Sequence, residues 1–216
     1  MEILRRTNRT VDISEPILAE DSTFTTIALS LKAILEQLDV TAKHHDYLVA
    51  LLLVLLAECG FSVTSTTDPT KWEKNTRLVS IPTNWKSQET GIYEIYLTLR
   101  NIHLIDFKSK LIVIPYGDKL VVNLLSHTLR NRNVYCMVVQ TLKYVNPYTS
   151  NLFVRYMNVK ELSHRFKNML AHPLHRDILL ASNLMGPCLE CLPTELRLKI
   201  LNMLPSNSLN FLYMYK

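Results

Sequence analysis

Glycine is scarce in this sequence, with four residues in a chain of 216. Gly60, Gly91, Gly117 and Gly186 are too far apart for any two of them to form a loop that cradles a phosphate. The chain also lacks a serine in a nucleophile-elbow pattern and a His-Glu-x-x-His pattern. These absences argue against nucleotide-dependent and hydrolytic chemistry. We therefore expect a protein that is not an enzyme and needs no cofactor.

Long hydrophobic runs are absent as well. The longest apolar run covers residues 47–57 and is well short of the roughly 20 residues that span a bilayer, so it predicts a buried core helix. Residues 1–6 lack the apolar stretch of a signal peptide, and we expect a protein of the reducing cytosol or nucleus. Hydrophobic residues make up 48% of the chain, which predicts a packed core rather than disorder.

The four cysteines are too few, and the expected compartment too reducing, for a disulfide framework. Cys59 and Cys136 lie in apolar stretches and are predicted to be small core residues. Two thiolates and two imidazoles could complete a tetrahedral zinc site, namely those of Cys188, Cys191, His172 and His175. No aromatic or glycine knuckle surrounds these cysteines, and the nearby prolines are typical of helix boundaries. We therefore expect that no zinc is bound.

The basic surplus is modest, at a formal net charge of +5, and the lysines and arginines are scattered along the chain. A surface that follows a phosphate backbone usually needs a concentrated basic stripe with aromatic residues between the charges. A basic α/β module that binds nucleic acid is therefore the alternative function. A gel shift with strong salt dependence would favour it.

Hydrophobic periodicity predicts an α+β fold, an antiparallel β-sheet packed with helices. Helical spacing marks the segments 24–38, 42–59, 158–170 and 173–182. Strand-like patterns mark 61–64, 93–100, 111–116, 120–125 and 134–142. The connections between the later strands are short, which favours a meander. The segment 66–88 is rich in turn residues and predicts a loop.

Several single residues predict where these elements begin and end. Gly60 can take the left-handed conformation that commonly closes a helix. Gly117 followed by Asp118 is typical of a type II′ hairpin turn. Asn158 and Glu161 have the spacing of a capping box, and Pro173 suits the first turn of the helix after it.

Alternate residues of a strand face opposite sides of the sheet, and in most of these strands both sets are apolar. We therefore expect both faces of the sheet to be covered by other parts of the protein or by a partner. The predicted helices can cover one face and part of the other. An uncovered apolar face or a free strand edge usually marks a partner site. The residues that we expect to include this site are Ile112, Ile114, Val121, Tyr135, Met137 and Val139.

Residues 192–205 read Leu-Pro-Thr-Glu-Leu-Arg-Leu-Lys-Ile-Leu-Asn-Met-Leu-Pro. This segment resembles the opening of an F-box, the start of an all-α domain whose apolar helical stripe binds the Skp adaptor of a cullin-based ubiquitin ligase. The resemblance implies adaptor-binding roles for Leu192, Pro193, Glu195, Leu196, Ile200, Leu201, Leu204 and Leu209. The segment up to residue 216 holds only part of the three-helix motif. We therefore expect it to bind the adaptor weakly or not at all by itself.

Upstream, residues 24–184 are similar to the FP domain, on three quoted stretches among others. These are His-Asp-Tyr-Leu-Val-Ala from residue 45, Pro-Thr-Asn-Trp from residue 82, and Tyr-Met-Asn-Val-Lys-Glu-Leu from residue 156. An FP domain followed by an F-box resembles the Nutcracker / F-box only protein seven family, and a proteasome inhibitor protein shares the FP domain. The resemblance implies an FP-like interaction domain at 23–184 and a partial F-box at 190–216. The polar, turn-like composition of residues 1–22, with a proline at 16, predicts a flexible arm before them.

The resemblance implies a function as well as a domain order. FP domains dimerise, so the implied partners are a second copy of this chain or an FP-bearing proteasome regulator. The implied role is that of an adaptor subunit of a Skp–cullin–F-box ligase that also modulates proteasome activity. In Nutcracker-like proteins this role is tied to caspase-dependent sperm maturation.

Overall fold

A computed structural model describes residues 18–23, 25–39, 41–63, 81–99, 108–126, 133–182 and 203. The chain divides into two compact units, Met1–Ile178 and Leu179–Lys216. The first unit contains every strand that follows. The predicted F-box residues from Leu192 to Leu209 lie outside the described residues.

The strands form one five-stranded antiparallel sheet in which each strand pairs with its neighbour in sequence. They are β1 (Phe61–Val63), β2 (Tyr93–Leu99), β3 (Lys108–Tyr116), β4 (Lys119–Ser126) and β5 (Val134–Gln140). The predicted α+β class with an antiparallel sheet is confirmed. The last strand ends two residues before its predicted end, because a helical turn begins at Thr141.

The β3–β4 hairpin turns at Gly117 and Asp118, between the paired residues Tyr116 and Lys119. Gly117 has a φ of +61°, whereas Asp118 is not among the described non-glycine residues with positive φ. A positive φ at the first turn residue alone is the requirement of a type II′ turn, and glycine meets it without steric cost. The predicted turn is therefore confirmed.

The helices are α1 (Leu29–Leu35), α2 (His44–Glu58), α3 (Thr141–Tyr144), α4 (Val159–Phe166) and α5 (His172–Ala181). Every residue of α2 from Leu48 to Leu56 is buried, which confirms the predicted core helix. Full burial of one such aliphatic side chain contributes about 1.5–3 kcal/mol, so this helix is a main source of stability. Gly60 follows α2 with a φ of +88°, as predicted for the residue that closes it.

The predicted break before Pro173 is absent. A π turn, Lys167–Ala171, joins α4 to α5, and the backbone at Phe166 and His172 is also right-handed helical. Proline has no N–H to donate, and its ring crowds the carbonyl four residues earlier, here that of Met169. A wider turn just before the proline accommodates this residue without ending the helix.

The predicted capping box at the start of α4 was wrong. Asn158 has a left-handed φ of +51° and its side chain makes no capping hydrogen bond. Its amide instead donates to the carbonyl of Lys143, at 3.2 Å. The carboxylate of Glu161, the other half of the predicted box, accepts from Tyr144 at 3.0 Å. Tertiary partners on α3 have therefore replaced the local pairing.

The N-terminal part of the described chain is packed, although residues 18–22 fall within the predicted flexible arm. A short 3-10 turn, Ala19–Asp21, buries Ala19 completely. The backbone N–H of Ala19 donates to Glu58 Oε1 at 2.7 Å. Long-range contacts to α2 and α4 hold this segment, and local composition carries no sign of them. Helix α1 starts at Leu29, later than predicted, because the Ala28 N–H donates to Ser22 Oγ in a turn.

Lys167, the first residue of the π turn, lies between two carboxylates. Its ammonium is 2.8 Å from Glu58 Oε2 and 3.1 Å from Glu20 Oε2. The Ser163 hydroxyl also donates to Glu20. Burial opposes the charged form of Lys167, but the hydrogen bonds and charges of Glu58 and Glu20 outweigh it and raise the pKa of Lys167. We refer to Glu20, Glu58 and Lys167 as the N-terminal ion cluster.

His45, at the start of α2, connects that helix to one end of the β4 and β5 ribbon, where β4 begins and β5 ends. Its Nε2 is 3.0 Å from the carbonyl oxygen of Gly117, and its Nδ1 is 2.9 Å from Thr141 Oγ1. A neutral ring with the proton on Nε2 donates to the first and accepts from the second. Burial lowers the pKa of His45, partly offset by the Gly117 carbonyl and by Asp46, with His44 and Lys86 lowering it further.

The free energy of unfolding should therefore fall as the pH drops below about 6.5, the ordinary histidine pKa. A folded-state pKa below the unfolded value means that protonation favours the unfolded chain. The contribution is complete above the unfolded pKa and is lost as the pH falls through the folded one. Urea unfolding at about pH 7.5 and about pH 5.5 measures this effect. His45→Gln should show a smaller difference between the two pH values, and the burial-lowered pKa of His175 accounts for part of the difference that remains. An unchanged difference would contradict the assignment.

Candidate protein-interaction surface

The two faces of the sheet differ in how far other elements cover them. Helix α2 contacts β1, and the π turn contacts β4 and β5. The side chains that are buried beneath them belong to one parity of the register: Phe61, Tyr93, Ile95, Leu97, Leu111, Val113, Leu120, Val122, Leu124, Met137 and Val139. The helices therefore cover this face, which carries the core.

The opposite face is defined by the other parity, and we call it the open face. Its side chains are Ser62, Glu94, Tyr96, Thr98, Lys108, Lys110, Ile112, Ile114, Tyr116, Lys119, Val121, Asn123, Leu125, Val134, Cys136, Val138 and Gln140. The strand register places Ile114, Val121 and Val138 side by side across the last three strands, and it places Ile112, Asn123 and Cys136 in the adjoining row.

Several apolar side chains on the open face are exposed to solvent. The exposed fraction is 38% for Ile114, 51% for Val138 and 57% for Val134. Ile112 and Val121 are half-buried between them. An antiparallel sheet with one solvated face usually alternates apolar residues inward with polar residues outward. A row of branched aliphatic residues on the outward side is therefore a candidate docking surface.

The predicted partner-binding residues divide between the two faces. Ile112, Ile114 and Val121 are on the open face, but Met137 and Val139 are buried on the covered face, at 3% and 0% exposure. Tyr135, also on the covered side, is half-buried, and its hydroxyl donates to Asp177 on α5 at 2.6 Å. The prediction that Tyr135, Met137 and Val139 share a surface with the others is corrected here.

The residues of β5 that do reach the open face are Val134, Cys136 and Val138. Cys136 was predicted to be a core residue, and the structure shows it exposed. Both alternating sets of side chains in β5 are apolar. The sequence of this strand alone therefore does not show which set faces the core. The neighbouring strand β4 did carry an indication. Asn123 is a polar residue in the interior of β4 and is expected to face solvent, and Cys136, which pairs with it, lies on the same face of the sheet. The other predicted core cysteine, Cys59, is buried, and burial raises the pKa of its thiol to about 11.

The charged residues of the open face are three lysines and one glutamate. Glu94 accepts from Lys110, whose ammonium is 2.7 Å away. The hydrogen bond to Glu94 raises the pKa of Lys110 despite its desolvation, and the nearby ring of Tyr96 adds to the effect. Lys108 and Lys119 are exposed and have no ion pair within the part of the chain that the structure describes. The open face thus combines an apolar centre with a positive surplus.

Other features of the described residues do not form a site of chemistry. No group of three or more histidine, cysteine, aspartate or glutamate side chains is placed there to hold a metal ion. His175 of the considered zinc set packs edge-on against Phe61, with ring centroids 6.1 Å apart. Cys188 and Cys191 lie outside the described residues, so the expectation of no zinc stays a prediction. Among the described helices none is long and apolar enough to cross a bilayer.

A groove of about 440 Å³ lies on the helical side of the first unit. Ile27, Leu31, Leu152, Tyr156 and Val159 supply most of its apolar lining. Two of the polar groups along it already have partners, since the Ser22 hydroxyl accepts from Ala28 and the Glu20 carboxylate is bound to Lys167. These two acceptors are therefore not available to a ligand.

An α+β domain with one helix-covered face and one open sheet face that exposes apolar side chains has the construction that is typical of protein-interaction domains. Comparison with protein families agrees with this class and makes it specific. Residues 39–178, more than half of the chain, match the family model described as PI31 proteasome regulator N-terminal. The chain belongs to this family, which is one of non-catalytic regulators. No curated protein sequence matches the chain significantly.

The family match, 39–178, lies within the predicted FP-like domain, 23–184, and stops before the predicted F-box. The part of the prediction that concerns the FP-type domain is confirmed. The F-box at residues 190–216, and with it the Nutcracker / F-box only protein seven family, is not part of the match and stays a prediction.

Proposed function

We propose that this chain regulates the proteasome through pairing of its FP-type domain with a second FP-type domain. The partner is either another copy of the chain or an FP-bearing proteasome regulator. The open face is the observation that supports the proposal, because it leaves Ile114 of the central strand β3 exposed together with Val134 and Val138 of the edge strand β5. Burial of such side chains against a second apolar face is favourable by about 25 cal/mol per Å².

Face-to-face packing is a common way for two antiparallel sheets to associate. Two such sheets stack about 10 Å apart, with strands within about 30° of each other, and their inner side chains interdigitate. Ile112, Ile114, Val121 and Val138 form rows of the kind that this packing uses. The strongly buried opposite face gives the sheet the rigidity that limits the entropy cost of association.

Residues 190–216 add a second proposed role. Their resemblance to an F-box supports attachment of the domain to a Skp adaptor and a cullin, with the FP-type domain linking ligase and proteasome. The proposed residues are those of the Leu-Pro-x-Glu stripe, from Leu192 to Leu209. We place these activities in the cytosol or nucleus.

The test uses the full chain with Cys188→Ser and Cys191→Ser, so that Cys136 and Cys59 are the remaining thiols. The chain is captured from a cell lysate, and bound proteins are identified by mass spectrometry. An FP-type proteasome regulator is expected among them. Purified partner should then slow the alkylation of Cys136 on the open face severalfold, while the buried Cys59 reacts only on unfolding.

Two outcomes would contradict the proposal. A captured FP-type partner that leaves the alkylation rate of Cys136 unchanged would place the interface away from the open face. Absence of such a partner, together with a salt-sensitive gel shift on nucleic acid, would favour the alternative function.

A further inference from the structure

The groove on the helical side of the domain has chemistry that the proposed function does not use. Its volume of about 440 Å³ lies within the range of about 300–1,000 Å³ that is typical of ligand pockets. Its lining comes from the chain before α1, from α1 itself, and from the segment that leads into α4. None of the lining residues belongs to a strand, so the groove is separate from the open face.

The acidic side chain of the groove and a carbonyl at its edge are taken up within the protein. The Glu20 carboxylate accepts a hydrogen bond from the Ser163 hydroxyl and one from Lys167, whose ammonium is 3.1 Å away and offsets its charge. The carbonyl oxygen of Asn158 accepts from the N–H of Leu162 at 3.2 Å. Together with the Ser22 oxygen, these are acceptors that a ligand cannot use.

Donors at the start of α4, in contrast, have no partner among the described residues. The Asn158 side chain makes no capping bond to this helix. The N–H groups of Val159 and Lys160 make no hydrogen bond within the part of the chain that the structure describes. The Lys160 ammonium is exposed and has no ion pair there either. Because all three residues line the groove, this side of it offers a positive charge and unused donors.

The apolar lining and the positive side together indicate the chemistry of the ligand. Ile27, Leu31 and Leu152 favour contact with aliphatic or aromatic side chains. The Lys160 ammonium favours an anion, and a carboxylate is an anion that only accepts hydrogen bonds. We infer that the groove binds the C-terminal end of a partner polypeptide, whose last side chains are apolar and whose free carboxylate lies at Lys160.

A polypeptide end fits this groove better than a lipid chain does. The lining is not wholly apolar, because Ser22, Thr23 and Asn158 also contribute to it. The tail of a fatty acid would desolvate such polar groups without returning a hydrogen bond, whereas a peptide backbone carries a carbonyl and, except at proline, an N–H at each residue. The Ser22 hydroxyl, which accepts from the Ala28 N–H, still has its own hydrogen to donate to a peptide carbonyl.

Affinity selection with the full chain tests the chemistry of the ligand. The probe is a pool of acetylated random hexapeptides, half with a free carboxyl end and half with a C-terminal amide. Peptides that stay bound are identified by mass spectrometry, and they should end in leucine, isoleucine, valine or phenylalanine with a free carboxyl group. The best of them, synthesised in both forms, should bind at least about tenfold more tightly with the free carboxylate than as the amide.

Lys160→Met tests whether the ammonium contacts the carboxylate itself. The variant keeps the apolar stem of the side chain, so the amide form should bind within about twofold of its affinity for wild type, while the preference for the free carboxylate should fall to about threefold or less. Lys32→Met is the matched control, at an exposed position of α1 outside the groove lining, and it should keep the full preference. Ile27→Glu places a carboxylate in the groove and should abolish binding of the free-carboxyl form.

Several results would overturn the inference. They are a pool from which no peptide is retained, equal retention of amides and free acids, and a preference that survives Lys160→Met unchanged. Dodecanoate that displaces the best hexapeptide and binds more tightly would make the groove a lipid site instead. Val121→Glu on the open face should leave peptide binding unchanged. The inference and the proposed function can therefore fail independently of each other.

Discussion

Val121→Glu should weaken association with an FP-type partner at least about 100-fold, which is about 2.7 kcal/mol, while the chain stays folded. Val121 is in the middle of the open face, paired with Ile114 on one side and Val138 on the other. In an apolar interface the new carboxylate would lose its hydration without a partner, and that cost is several kcal/mol. In the free chain the side chain borders solvent, so folding is little affected. Isothermal titration calorimetry measures the affinity, and a thermal unfolding curve measures the fold.

Leu29→Glu is the matched control for this substitution. Leu29 is 45% exposed on α1, on the helical side of the domain, and its replacement introduces the same charge. It should leave the affinity within about twofold of wild type. If Val121→Glu retains full affinity and Leu29→Glu does not, the interface lies on the helices.

Lys167→Met should lower the free energy of unfolding by about 3–5 kcal/mol, the usual cost of removing one partner from a buried ion pair. Only 14% of the Lys167 side chain is exposed, and Glu58 and Glu20 beside it are 5% and 16% exposed. Methionine keeps the length and apolar contacts of the lysine stem but leaves two carboxylates close together without a cation. Urea unfolding monitored by circular dichroism measures the loss.

Two further variants separate charge from packing in the N-terminal ion cluster. Adding Glu20→Gln and Glu58→Gln to Lys167→Met removes the unpaired charges and should recover part of the lost stability. Lys160→Met, at an exposed position of α4, should change the free energy of unfolding by less than about 0.5 kcal/mol. A Lys167→Met protein as stable as wild type would show that the cluster contributes no net stability.

The elements with one clear period could be predicted from the sequence. The run 47–57 is apolar on all sides and became α2, and Gly60 closed it where the sequence placed a residue suited to positive φ. Tyr93–Leu99 alternates, and its inward set, Tyr93, Ile95, Leu97 and Leu99, is buried as the alternation implies. Gly117 determined the hairpin turn and, through it, the register of β3 with β4.

The direction of β5 could not be obtained in the same way. Val134, Cys136 and Val138 are nearly as apolar as Met137 and Val139, so period-2 reasoning has no contrast to use. The pairing of β5 with β4 decides which side chains of β5 face the core. Val122 of β4 is buried and pairs with Met137, so Met137 faces the core as well. The error in the candidate site therefore arose in one strand, and the register of its neighbour resolves it.

Contacts between residues that are far apart in the chain also could not be predicted from sequence patterns. Glu20 and Lys167 are separated by 147 positions, and no spacing rule connects them. The same holds for Asn158, whose local capping partner was replaced by a carbonyl of α3. Local motifs predict local bonds, and tertiary structure overrode them at these two places.

The apolar surface of helix α2 has a consequence for the synthesis of this protein on the ribosome. It is apolar on every side, yet elements that cover it, among them α4 and the π turn ending at Ala171, are translated more than a hundred residues later. At about 5–20 residues per second the nascent helix waits on the order of ten seconds for them. During that interval the apolar side chains of α2 lack their final cover, which is the condition under which nascent chains are prone to aggregate.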